Sequence, residues 1–97
     1  MGPEEMGQLD TGRVKALIRQ ILQAGIVAFS GHARDEMQND ELTTGDCINV
    51  LRGGVVEPGR LERDSWRYRV KTSTICVVVT FRSETKLVVV TAWRIRR

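Results

Sequence analysis

The single histidine of the chain, His32, stands in the stretch FSGHARDEM, two residues before Arg34 and four before Glu36. An imidazole titrates near neutral pH and can take or give a proton, and a guanidinium beside it can hold a phosphate oxygen. Together they have chemistry suited to RNA cleavage without a metal. The plainer alternative is a histidine that only packs on a helix surface. Glu36 lies one helical turn further on, where it can orient or pair with the ring. A helix that starts at Ser30 would also turn its N-terminus, which favours anions, toward this segment.

A second set of candidates lies in SWRYRVKTSTICVVVTFRSETKLVVVTAWRIRR, where Arg67, Arg69, Lys71, Arg82, Arg94, Arg96 and Arg97 surround apolar runs. The period here is two, so residues 66–71, 74–82 and 86–95 read as three antiparallel strands joined at Thr72-Ser73 and Ser83-Glu84-Thr85. These turns pair Arg69 with Cys76, Thr80 with Val88 and Cys76 with Ala92. Arg67, Arg69, Lys71, Arg82, Arg94 and Arg96 then share one face, around a small apolar floor of Cys76, Val78, Val88, Val90 and Ala92. The bulky set, including Trp66, Tyr68 and Trp93, takes the other face. Alternate residues of a strand are about 6.7 Å apart, a spacing at which Arg67, Arg69 and Lys71 can meet successive phosphates. Guanidinium groups bind phosphate in a bidentate manner, which favours an anion site over a merely solvated polar face.

The charge distribution agrees. The net charge of +3 divides into −4 over residues 1–59 and +7 over residues 60–97, a basic half that suits a polyanion such as nucleic acid. At 97 residues, 41% hydrophobic and 28% charged, the chain is expected to be one folded domain over 10–97 behind a flexible tail at 1–9. No apolar run is long enough to cross a bilayer and no signal-peptide pattern is present, so a cytoplasmic location without membrane contact is expected. Cys47 and Cys76 suggest reduced, buried side chains, and no metal or cofactor site is expected.

The elements that must position these groups begin with a helix capped at Asp10 or Thr11. It carries Val14, Leu17, Ile18, Ile21 and Leu22 on one stripe and runs to about Ala24, with Gly25 as a left-handed stop. IVAF follows as an extended link or edge strand. A short helix from Ser30 to about Asn39 buries Ala33 and Met37. Thr43 caps a third helix, with Asp46 completing a capping box and Gly53-Gly54 ending it. Pro58-Gly59 marks a bend with a short strand on either side. The expected fold is α+β, with N-terminal helices packed on a C-terminal antiparallel β-meander.

Taken in order, HARDEM, DELTTGDCINVLRGGVVE, WRYRV, VVVTF and LVVVTAWR resemble the small bacterial domain of unknown function 4258. The preceding VKALIRQILQAGIVAFSGHAR is similar to the start of MqsR-type toxins. The resemblance covers about residues 13–96 and implies an architecture like that of RelE-superfamily toxins. It implies a metal-independent endoribonuclease of a toxin–antitoxin pair, in which the RNA 2′-OH attacks the adjacent phosphate. Its partners would be RNA, a cognate antitoxin of zinc-finger or helix-turn-helix type and the ribosome. Carried over onto this chain, His32 would be the acid/base, with Arg69 and Tyr68 completing the catalytic set. Arg34, Arg67, Lys71, Arg82, Arg94 and Arg96 would bind the RNA. The alternative is a non-catalytic basic module that holds nucleic acid or an acidic antitoxin segment.

Overall fold

The computed structural model of the protein describes residues 7–96. Residues 1–6 of the expected tail, and Arg97, lie outside the described residues. Within that expected tail, Leu9 packs on the core and its N–H donates to the Tyr68 hydroxyl at 2.9 Å.

Helix α1 (Thr11–Ala24) starts where the Asp10 carboxylate accepts from the Arg13 N–H at 2.8 Å, and it buries Val14, Leu17, Ile18 and Ile21. Gly25, expected in the left-handed region, is instead extended at φ −109° and ψ −157°. A glycine is required there because a Cβ would run into the carbonyl oxygen of Thr85, which accepts from the Ile26 N–H. Strand β1 (Ile26–Phe29) leads to helix α2 (Gly31–Asn39), capped by the Ser30 hydroxyl. Helix α3 (Thr44–Gly53) opens with the expected capping box between Thr43 and Asp46. Short strands β2 (Val55–Val56) and β3 (Arg60–Glu62) flank Pro58-Gly59 and precede the long strands β4 (Ser65–Lys71), β5 (Ile75–Ser83) and β6 (Lys86–Arg94).

The fold is α+β, with three helices among the described residues and a six-stranded sheet in the order β1-β6-β5-β4-β2, in which β3 also pairs with β4. The sheet is mixed, because the segment IVAF adds an edge strand to the expected antiparallel meander. The β4-β5-β6 meander is antiparallel, but β1 joins β6 in parallel, with Ile26 opposite Lys86 and Phe29 opposite Val89. The helices cover one face, where Tyr68, Val70, Val77, Val79, Phe81, Leu87, Val89 and Ala92 meet α1, α2 and α3 in a single core. No helix among the described residues is long and apolar enough to cross a membrane.

Two registers differ from expectation, with different consequences. Between β4 and β5 the closing pair is Thr72 and Ile75, so Arg69 faces Val78 and Lys71 faces Cys76. That slip of two residues leaves every side chain on its expected face. Between β5 and β6, Thr80 faces Val88 as expected, but the pairing jumps from Val79–Val89 to Val78–Thr91. Val90 is an extra residue, and its carbonyl accepts from the Ser30 hydroxyl at 3.2 Å. Beyond this bulge the faces of β6 are exchanged: Ala92 enters the helix-side core, and Trp93, opposite Cys76, joins the arginine face.

Candidate nucleic-acid interface

The face of the sheet away from the helices has a buried floor of its own. Cys76, Val78 and Thr80 are at most 7% exposed although none belongs to the helix-side core. Long side chains do the covering, their stems lying on the apolar surface while their charged ends reach water. The Arg69 guanidinium stacks 5.6 Å from the centre of the Trp93 ring. Burial pushes the Cys76 thiol upward in pKa, against the opposing pull of Arg69 and Lys71.

Strand β3 closes this face into a cleft of about 160 Å³, lined by Pro58, Arg60, Glu62, Arg67, Arg69, Val78, Thr91 and Trp93. The β3–β4 hairpin turns on Arg63 and Asp64, both left-handed at φ 49° and 65°, the conformation of a tight two-residue hairpin loop. Its register sets Arg60 directly opposite Arg67, so two like charges face each other, an arrangement that is unfavourable without a counter-charge. Glu62 supplies only a loose one, 3.5 Å from Arg67 Nη1. Arg67 Nε is buried and has no hydrogen-bond partner, which costs stability unless an acceptor arrives. Three arginines, a threonine, a tryptophan and the carboxylate-bearing Glu62 therefore line one small volume.

Of the expected site residues, Arg67 and Arg69 line this cleft. Lys71 stands on the same face but is held by Glu57 at 2.9 Å, and that contact keeps the Glu57 carboxyl below its usual pKa. Arg82 lines another cavity, of about 230 Å³, at the end of the sheet with Trp66, Phe81 and Asp64.

Arg94 is a correction. The Val90 bulge turns it to the helix side, where Nε donates to the Asp40 carbonyl at 2.9 Å and Nη2 to the Glu41 carbonyl at 3.3 Å. Its own N–H donates to the Asp40 carboxylate at 2.7 Å. It is thus a cation closing the C-terminus of α2, as the helix dipole favours. Arg96 is drawn to the same carboxylate at 3.3 Å.

Tyr68 lies outside the arginine cleft and lines the cavity that holds Arg82. It is 1% exposed within the helix-side core, its hydroxyl is engaged by Leu9, and burial raises its pKa. Gly59 exists beside it because a Cβ there would strike the Tyr68 ring. His32 is exposed in the first turn of α2, and Arg34 lies 5.8 Å from the centre of the Phe29 ring. Neither lines the cleft.

Arg60, Glu62, Thr91 and Trp93 are the cleft residues that sequence reasoning missed. Arg60 and Glu62 had a signal, since a two-residue turn at Arg63-Asp64 places Arg60 opposite Arg67. Trp93 and Thr91 had none, because nothing in LVVVTAW marks the bulge.

Residues 29–94 match the family described as a domain of unknown function, DUF4258. The chain belongs to that family. No curated protein and no solved structure matches it.

Proposed function

We propose that the chain binds single-stranded RNA on the sheet face away from its helices, with the cleft of Arg60, Arg67 and Arg69 holding backbone phosphate. The observation that carries this reading is the meeting of three guanidinium groups, with one Nε buried and unpartnered, in a cleft that offers a single loosely held carboxylate. A phosphate would supply the counter-charge that the facing Arg60–Arg67 pair lacks. The cleft is open on one face of a sheet and small, which suits a single strand with accessible bases better than a duplex.

The likeness to RelE-superfamily and MqsR-type toxins, with a cognate antitoxin and the ribosome as partners, belongs to this proposal in its catalytic form. That form requires a proton-transfer group at the cleft, and His32 is the residue to test for it. Tyr68 and Arg94 do not line the cleft.

The test is fluorescence anisotropy with a labelled single-stranded RNA across a salt series, followed by a gel for cleavage. Arg60→Ala, Arg67→Ala and Arg69→Ala should each weaken binding and flatten the log–log salt slope by about 0.7. Salt-independent binding, or binding indifferent to all three variants, would overturn the reading. Cleavage abolished by His32→Ala would establish the enzyme; RNA bound but left intact would establish the binding module.

A further inference from the structure

The cleft contains a residue that its electrostatics alone do not explain. Glu62 lines a cleft whose other charged residues are all arginines, and its carboxylate lies 3.5 Å from Arg67 Nη1, so a polyanion held there must approach it. If Glu62 existed to neutralise Arg67, a close bidentate pair would be expected; the contact is a single one at 3.5 Å, and Arg67 Nε is left over. The Glu62 side chain is 55% exposed, so its carboxylate has acceptor capacity to spare.

A carboxylate beside a bound phosphate is tolerated when the ligand brings a hydroxyl for it to accept. In a nucleic-acid strand the hydroxyl adjacent to the backbone phosphate is the ribose 2′-OH, which DNA lacks. We infer that Glu62 is the residue by which the cleft distinguishes RNA from DNA: it accepts a hydrogen bond from the ribose 2′-OH while Arg60, Arg67 and Arg69 hold the phosphate. Against DNA the same carboxylate meets no donor and repels the strand, so discrimination comes from a penalty on the wrong ligand as well as a bond to the right one. Arg60 and Glu62 are alternate residues of β3 on the same face, so a strand held at Arg60 runs past Glu62.

This inference rests on the reading that the cleft binds RNA, and one experiment separates the two. Oligouridylate and oligodeoxyuridylate of matched length differ only at the 2′ position, and their affinities for the full chain are measured by anisotropy at low salt. The native protein should prefer the ribo form about tenfold, the worth of one hydrogen bond to a charged group. Glu62→Ala should bring the two affinities within about twofold by strengthening the deoxy form. Glu62→Gln, which keeps an acceptor and loses the charge, should retain part of the preference. Equal native affinities, or a Glu62→Ala variant that strengthens both ligands by the same factor, would overturn the role of Glu62 and leave RNA binding standing. If neither oligomer binds, or Arg69→Ala changes neither, the cleft reading itself falls.

Discussion

Removing the Arg94 side chain takes away both hydrogen bonds that close the end of α2, those to the Asp40 and Glu41 carbonyls. Arg94→Ala should therefore lower unfolding free energy in urea by about 2 kcal/mol, because these are bonds from a charged donor. RNA affinity should stay unchanged. Arg69 carries the opposite expectation. It stacks on Trp93 at the cleft wall, so Arg69→Ala should lose affinity while changing stability little. The two arginines are both on the sheet near its apolar runs, and their types do not tell them apart. Only the parity of β6 beyond Val90 does, which is why the face of Arg67 and Arg69 was legible and that of Arg94 was not. Tyr68 shows the complementary case: alternation along β4 already set it among the core side chains, and its place in the catalytic set came from likeness alone.

At the scale of elements, the helices were readable because their signals are local. Asp10, Ser30 and Thr43 each accept from a backbone N–H three residues on, as their types and positions imply. Asp46 adds a titratable half to the cap of α3. The Thr43 N–H, then its hydroxyl, hold the Asp46 carboxyl below its ordinary pKa. A carboxyl with a depressed folded pKa contributes stability that is present above its ordinary value and lost as pH falls through the folded value. Acid titration of stability should accordingly be shallower in Asp46→Asn than in the native protein below the ordinary carboxylate range. Thr43→Ala should cost about 1 kcal/mol at neutral pH. The pairing of β1 with β6 was not readable in this way. IVAF marks an extended segment, but its partner lies some sixty positions away and is chosen by how α1 and α2 pack, a non-local outcome. The bulge is illegible for a related reason: it is accommodated by the Ser30 hydroxyl meeting the Val90 carbonyl, a contact made only after folding.

For the whole molecule, the sheet divides two environments, and the cysteines sample one each. Cys47 is fully buried on the helix side, where burial raises its pKa to about 11, and Cys76 is 2% exposed beneath the cleft. Both should resist alkylation at neutral pH until the chain unfolds. A mass-spectrometric time course in which bound RNA slows Cys76 through local protection, while leaving Cys47 unaffected, would show that the cleft floor opens separately from the core. The Cα radius of gyration of 12.4 Å fits one close-packed body of this length, for which about 13 Å per 100 residues is usual, so the two environments share one sheet with little material between them. Val90 then has a consequence for how such a chain can vary over time. Trp93 and Arg94 are adjacent in the gene, yet one walls the cleft and the other fastens α2. Point substitutions can change the cleft wall at Trp93 or the fastening of α2 at Arg94 independently. A deletion or duplication of a single codon in β6 would instead exchange their faces, turning the indole to the helix side and the guanidinium to the cleft side, so the length of this strand should be far less free to change than its composition.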